Sequence, residues 1–149
     1  MTVDVCTEID IARQPADVAA YTADPDRAPD WYANIESVTW RTEPRLQVGS
    51  VVGFVARFLR RRLEYDYEIV DLVPGERLVM RTAQGPFPME TTYTWSETDD
   101  GKTRMTLRNC GDPTGFSKIA APFMARAMRR ANRKDLLALK GILERAMPG

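Results

Sequence analysis

The feature that most constrains the fold is a series of strand-like segments that ends in one long helical pattern. After Gly49, short runs bounded by turn residues predict strands over 50–59, 63–73, 76–84, 88–97 and 102–110. From Ser117 to about Met147, apolar residues instead recur at three- and four-residue steps, which is typical of an amphipathic helix. Consecutive strands joined by short turns form an antiparallel sheet, and only this helix is long enough to cover one of its faces. The sequence therefore predicts an α+β fold.

The N-terminal part of the chain predicts two more strands, separated by two short helices. Residues 3–12 alternate between apolar and polar, as a half-buried strand does, and Pro15 suits the first position of a helix. The length of 149 residues lies within the usual size of one domain, so we expect a single domain over 1–149. The strands are expected at 3–12 and 35–44, and the helices at 15–22 and 26–33.

Hairpin registers predict which side chains share a face of the sheet. A four-residue loop at 59–62 places Phe54 opposite Tyr67 and Arg57 opposite Glu64. The two following hairpins place Thr91 between Met80 on one neighbouring strand and Asn109 on the other. The last of them turns at Asp99-Asp100-Gly101, with glycine at the left-handed position. We expect an outer face with Arg57, Glu64, Arg81 and Glu90, and an inner face with Phe54, Tyr67, Met80 and Tyr93.

The residue types that the chain lacks exclude several function classes. There is no histidine, which removes Ser-His-Asp and Cys-His catalysis and histidine-based zinc sites. Neither of the common glycine-rich phosphate-binding motifs occurs. We therefore expect no metal, no cofactor and no nucleic-acid ligand.

The cysteines and the hydropathy pattern bear on location. Cys6 and Cys110 are too few for a secreted disulfide scaffold, and no secretory segment follows Met1. The apolar runs are too short to span a bilayer. We expect a cytoplasmic protein in which both thiols are free.

The formal net charge is zero, but the charges are unevenly distributed. Residues 115–149 contain 8 Lys or Arg against 2 Asp or Glu. Such asymmetry marks either a contact with nucleic acid or a membrane, or a basic helix beside an acidic sheet. We favour the second interpretation, which makes a membrane contact the less favoured expectation.

The inner face of the predicted sheet is rich in aromatic and methionine side chains. Walls of this kind, with a few hydroxyls and one amide, suit a pocket for a sparsely polar molecule. The alternative is an ordinary core in which Thr82, Thr91 and Asn109 are satisfied by one another or by water. Trp31 and Phe123 are expected to close the pocket, whose predicted lining is Trp31, Phe54, Phe58, Tyr65, Tyr67, Met80, Thr82, Met89, Thr91, Tyr93, Met105, Asn109 and Phe123.

Turn and helix motifs occur along essentially the whole chain in an order typical of one family. They are IDIARQPADV at 9–18, DP at 24–25, Trp31, VGS at 48–50, YEIVDLVPGERL at 67–78, YTWSE at 93–97, Gly115 and LLALKGILE at 136–144. On these motifs the chain resembles the START-like or polyketide cyclase/dehydrase superfamily, often called SRPBCC. The motifs are structural, so the resemblance specifies the fold better than the function.

The resemblance implies a helix-grip fold. In this fold a seven-stranded antiparallel curved sheet wraps around a long C-terminal helix, with two short helices between strands 1 and 2 and a ligand cavity inside. Members bind lipids, sterols, polyketides, quinones or hormones, and some catalyse cyclisation or dehydration. The resemblance also makes the first and last strands neighbours, with Cys6 beside Cys110 and Glu8 beside Arg108.

Three functional hypotheses follow. The first is binding of a small apolar ligand, lipid-, polyketide- or quinone-like, in a cavity of a few hundred cubic ångströms, by a monomer or a homodimer. The second is a polyketide cyclase/dehydratase-type enzyme that uses Tyr65, Tyr67 or Tyr93, because the inner sheet face offers no Asp, Glu or Lys. The third is a protein or membrane-surface interaction module that uses the basic C-terminal helix. An inward-facing acid or arginine would favour the enzyme.

Overall fold

The computed structural model describes residues 3–85, 87–112 and 121–145. Seven strands form one antiparallel sheet in the order β1-β7-β6-β5-β4-β3-β2, with two short helices after β1 and a long helix after β7. This is the predicted helix-grip architecture. The elements are β1 Val3–Ile11, α1 Pro15–Thr22, α2 Ala28–Trp31, β2 Ile35–Trp40, β3 Val51–Phe58, β4 Arg61–Val73, β5 Arg77–Gln84, β6 Met89–Glu97, β7 Thr103–Gly111 and α3 Ala121–Arg145. The predicted helix limits at Ser117 and Met147 lie outside the described residues.

Helix α3 packs its apolar stripe against the concave face of the sheet. Leu136, Leu139 and Leu143 are almost completely buried there, because they recur at the spacing of one helix face. The C-terminal half of the helix is also tied to the end of β1. Lys140 Nζ donates to the carbonyl oxygen of Asp10 at 2.7 Å, and the amide of Ala12 donates to Glu144. The opposite half of the helix is therefore the part that leaves room for a cavity.

The β3–β4 hairpin differs from its predicted register. Leu59 and Arg60 form a two-residue turn with φ of 51° and 65°, so Phe54 lies opposite Tyr65 rather than Tyr67. Positive φ at both central residues is the geometry that suits the twist of a tight hairpin, but neither residue is the usual asparagine or glycine. The register is shifted by two residues, which leaves every side chain on its predicted face.

The β5–β6 and β6–β7 hairpins have the predicted registers. Thr91 lies opposite Met80 on β5 and opposite Asn109 on β7. Gly101 has a φ of 79°, as the three-residue turn requires. Arg81 lies opposite Glu90 on the outer face and forms an ion pair with it at 2.8 Å. The predicted inner and outer faces are therefore confirmed.

The register of β1 against β7 was predicted wrongly. Cys6 lies opposite Arg108, and Cys110 lies opposite Asp4, so the two thiols are not a facing pair. Both cysteines are free. No short turn connects these two strands, so their register depends on packing and on ion pairs such as Arg108–Asp4, at 2.6 Å. None of these pairs is visible from the local sequence.

Candidate functional site

A cavity of about 150 Å³ lies between the inner face of the sheet and α3. Stacked and tilted rings fill part of the space behind it: Tyr65 lies 5.6 Å from Phe54 and 5.0 Å from Tyr67, centroid to centroid. This packing makes the cavity smaller than the predicted few hundred cubic ångströms. The predicted residues that line it are Phe54, Phe58, Tyr65, Tyr67, Met80, Thr82, Met89, Thr91, Tyr93 and Asn109.

Three residues expected at the cavity lie elsewhere. Trp31 is buried in the core, with its ring 4.0 Å from that of Tyr32, and Met105 is fully buried on β7, opposite Trp95 on β6. Phe123 is 64% exposed. The inward positions of the first turns of α3 belong to Met124 instead, and adjacent helix residues point about 100° apart. Phe123 therefore points away from the cavity.

The polar groups of the sheet wall bond to one another. Thr91 Oγ1 donates to Asn109 Oδ1 at 2.7 Å, so the contact of 2.9 Å between Tyr67 and Thr91 is donated by the Tyr67 hydroxyl. Thr82 Oγ1 both donates to the Met89 carbonyl and accepts from the Met89 amide, at 2.8 Å each. Mutual hydrogen bonds thus satisfy much of this wall, as the core alternative predicted.

The helix wall carries two polar residues that sequence reasoning missed, Asn132 and Asp135. Both line the cavity, and they are 6% and 3% exposed. The Nδ2 atom of Asn132 has no hydrogen-bond partner among the described residues. The signal was present in the sequence, because both residues fall in the apolar stripe that Met128 and Leu139 define.

Asp135 is a buried carboxyl group near the entrance of the cavity. Its Oδ1 accepts a hydrogen bond of 3.1 Å from the amide of Ala33, in the segment between α2 and β2. Burial raises the pKa of Asp135 to about 6, although the Ala33 hydrogen bond acts in the opposite direction. The acidic group of the cavity thus comes from the helix, whereas the expected absence of acidic groups concerned the inner sheet face only.

Neutral phenols complete the polar lining. The hydroxyls of Tyr32 and Tyr93 lie 2.5 Å apart. Burial raises the pKa of both tyrosines well above 10, and the charge of Asp135 adds to this. Burial also raises the pKa of Tyr67 to about 12. These phenols remain protonated near neutral pH and serve as hydrogen-bond donors beside one carboxyl group.

Two negative findings apply to the described ranges. Within residues 3–85, 87–112 and 121–145, no group of three His, Cys, Asp or Glu side chains is placed to hold a metal ion. Among the helices of the same part of the chain, none is long and apolar enough to cross a membrane.

A curved sheet that closes over one long helix, with an apolar cavity between them, defines the helix-grip fold, which is a ligand-binding fold. The family profile described as "Polyketide cyclase / dehydrase and lipid transport" matches residues 2–144. The chain belongs to this family. No curated protein sequence matches the chain at a significant level.

Solved structures share this fold at low sequence identity. A START superfamily protein from Mycobacterium smegmatis has a TM-score of 0.82 and 13% identity, over 97% of this chain and 99% of that one. The Zhui aromatase/cyclase from Streptomyces sp. R1128 has a TM-score of 0.77 and 21% identity, over 97% and 95%. The major latex-like protein 151 from Panax ginseng has a TM-score of 0.70 and 15% identity, over 99% of both chains. At these identities the likeness concerns the fold alone.

Proposed function

We propose that the protein binds a small, largely apolar molecule that carries a carbonyl or similar oxygen, as lipid-, polyketide- and quinone-like compounds do. The observation that carries this proposal is the buried Nδ2 of Asn132, which has no partner among the described residues. Leaving a buried donor unpaired costs about 1–3 kcal/mol, so such groups are nearly always satisfied. A ligand oxygen in the cavity supplies the missing acceptor.

The hydrogen bonding on the sheet wall and on the helix wall indicates where the ligand oxygen binds. Asn109 and Thr91 already hold one another on the sheet, so we assign the ligand contact to Asn132 on the helix. The volume of the cavity limits how much of the ligand can be buried. A volume of about 150 Å³ accommodates about one aromatic ring. A larger ligand extends through the opening toward solvent.

Displacement of a fluorescent apolar probe tests this function. We expect N-phenylnaphthylamine to bind the wild-type protein and to be displaced by naphthoquinone. Ala131 lies at the neck of the cavity, so Ala131→Phe should block the site and abolish most of the probe signal. Ala138→Phe is the matched control, because Ala138 is exposed on the same helix. If wild type binds no probe, or if both variants lose it equally, the proposal fails.

Asp135 supports a second candidate, an enzyme of the cyclase/dehydratase type. A carboxyl group whose pKa is about 6 exchanges protons readily near neutral pH, which general acid–base catalysis requires. Tyr93, whose hydroxyl lies against that of Tyr32, adds a neutral donor for a substrate carbonyl. The Asp135 carboxylate would take the proton next to that carbonyl and return it to the departing β-hydroxyl, which would leave as water while a carbon–carbon double bond forms.

A β-hydroxytetralone tests this candidate, because loss of water yields fluorescent naphthol. We expect Asp135→Asn to abolish the reaction while probe binding persists, since the amide oxygen still accepts the Ala33 hydrogen bond. Absence of turnover in the wild type, or full turnover in Asp135→Asn, would remove the enzyme candidate and leave the binding function.

The proposal also includes the setting of the protein. We place a single domain over 1–149 in the cytoplasm, where the exposed Cys6 and the half-buried Cys110 stay reduced as free thiols. We propose a monomer or a homodimer, which light scattering after size-exclusion chromatography distinguishes directly.

A further inference from the structure

The entrance of the cavity lies beside a patch that combines apolar and basic side chains. This patch, here called the basic mouth, surrounds an open depression of about 450 Å³. The depression shares Asn34, Phe58, Ala131 and Asp135 with the cavity, so the two adjoin at this point. The basic mouth consists of Phe58 and Leu59 from the β3–β4 hairpin and Phe123, Arg126, Arg130 and Lys134 from α3.

The apolar members of the basic mouth are accessible. Phe123 is 64% exposed on the first turn of α3, and Leu59 is half-buried at the tip of the hairpin. Leu59 adopts a φ of 51°, which holds it in the tight turn next to exposed Arg60. Two separate elements thus present apolar side chains at the same opening.

The basic members of the mouth form no ion pair with the residues that the structure describes. Arg126, Arg130 and Lys134 lie one helical turn apart and are exposed, and none of them forms an ion pair with a described residue. The arginines of the outer sheet face contrast with them. Arg104 pairs with Asp10 at 2.9 Å, and Arg108 pairs with Asp4 at 2.6 Å. Arg104 and Arg108 are thus neutralised by carboxylates, whereas the mouth cations, which have no such pair among the described residues, are available to an anionic partner.

We propose that the basic mouth docks on the surface of an anionic lipid bilayer. Clusters of lysine and arginine bind anionic headgroups, and neighbouring aromatic or aliphatic side chains enter the boundary of the acyl region. An acidic protein would neutralise the cations but would also need a pocket for Phe123. A bilayer offers both anionic headgroups for the cations and an apolar acyl region for Phe123. If the ligand is apolar, as proposed above, docking places the cavity entrance against the phase in which that ligand dissolves.

Co-sedimentation with vesicles tests the docking. We expect wild type to bind vesicles that contain phosphatidylserine, to bind pure phosphatidylcholine vesicles poorly, and to dissociate at high salt. Each basic residue near the surface contributes about fivefold in partitioning, so Arg126→Gln combined with Arg130→Gln should weaken binding about 25-fold. Phe123→Ser should weaken it further.

The matched control removes two arginines from the outer sheet face. Arg104→Gln combined with Arg108→Gln changes the net charge equally and should leave vesicle binding unchanged, because both arginines are paired with carboxylates on the outer face of the sheet. If this control loses as much binding as the mouth variant, or if wild type binds no phosphatidylserine vesicles, the proposal is overturned. Binding to soluble polyglutamate without binding to vesicles would overturn it in favour of an acidic protein partner.

The same variants separate the docking from the cavity function. Arg126 and Arg130 do not line the cavity, so displacement of the apolar probe in solution should be unaffected in the mouth variant. Loss of vesicle binding with intact probe binding is the expected result. Intact vesicle binding in that variant, whatever the probe does, contradicts the docking surface.

Discussion

The polar side chains on the two walls of the cavity differ in their hydrogen bonding. On the sheet, Tyr67 on β4 donates to Thr91 on β6, and Thr91 donates to Asn109 on the neighbouring strand β7. On the helix, the Asn132 amide nitrogen has no partner among the described residues, and Asp135 has a buried carboxyl group. A wall whose polar groups are mutually satisfied is a fixed surface, whereas an unsatisfied wall gains most from a ligand. The sheet therefore shapes the site, and the helix supplies its chemistry.

The largest expected effect concerns the attachment of the helix wall. Leu139 is fully buried against the sheet, and Leu139→Ala should lower the free energy of unfolding by about 2–5 kcal/mol. Leu137 is the matched control, because it is 57% exposed on the same helix and Leu137→Ala should change little. Urea unfolding measures both. Equal effects in the two variants would show that the helix is not held by this face.

The next effect concerns how the stability of the protein depends on pH through Asp135. The pKa of Asp135 in the folded protein, about 6, lies above its ordinary value of 3.8. The folded state therefore binds this proton more tightly, so the contribution of Asp135 to stability falls as the pH rises from about 4 to 6. Asp135→Asn should be more stable than wild type by about 1–3 kcal/mol above pH 6, with the difference vanishing near pH 4.

Comparison of the two proteins isolates Asp135 from the other carboxyl groups. Hydrogen bonds from Arg108 and Arg104 lower the pKa of Asp4 and of Asp10, and both pairs are present in wild type and variant. Their contributions cancel in the difference between the two stability curves. A stability difference that stays constant between pH 4 and pH 7 would contradict the buried, ionisable state of Asp135.

A smaller effect tests the sheet wall. Thr91→Val keeps the shape of the side chain but leaves the Tyr67 hydroxyl and Asn109 Oδ1 without their shared partner. We expect a loss of stability of about 1–3 kcal/mol, because both groups are buried. Thr92→Val on the same strand is the control, since Thr92 faces the other side of the sheet. Thermal unfolding that moves equally in both variants would mean that the hydrogen-bond chain is not a stabilising unit.

The smallest effect is expected on the outer face of the sheet. Arg81 pairs with Glu90, but its side chain is 62% exposed, so the ion pair is largely screened by solvent. Arg81→Gln should change the free energy of unfolding by less than about 1 kcal/mol, and less still at high salt. A larger loss would show that the outer face contributes more to the fold than its exposure suggests.

Much of the fold could be predicted from the sequence because the alternation of apolar and polar residues has a period of two. The faces of Tyr67, Met80 and Tyr93 followed from it, and glycine at position 101 fixed one register. The β3–β4 register could not be predicted, because Leu59-Arg60 carries no turn signal. The pairing of β1 with β7 joins distant parts of the chain, so no local pattern sets it.

The candidate site was predicted for one wall only. Sheet positions alternate strictly, so Phe54, Thr91 and Asn109 were placed correctly at the cavity. Helix positions turn by about 100° per residue, and a one-residue error exchanged Phe123 for Met124. The position of Asp135 in the apolar stripe of α3 can be read from the sequence, but its hydrogen bond with the amide of Ala33 is a tertiary contact that the sequence does not reveal.

The central claim, that the helix wall rather than the sheet wall bonds the ligand oxygen, is tested most directly by ligand selectivity. The measurement is the ratio of the dissociation constants of naphthalene and naphthoquinone, obtained by probe displacement. We predict that wild type prefers the quinone by about three- to tenfold, the value of one hydrogen bond. This preference should vanish in Asn132→Leu and persist in Asn109→Leu, where the sheet wall is altered instead. A preference that persists in Asn132→Leu, or vanishes only in Asn109→Leu, would contradict the account.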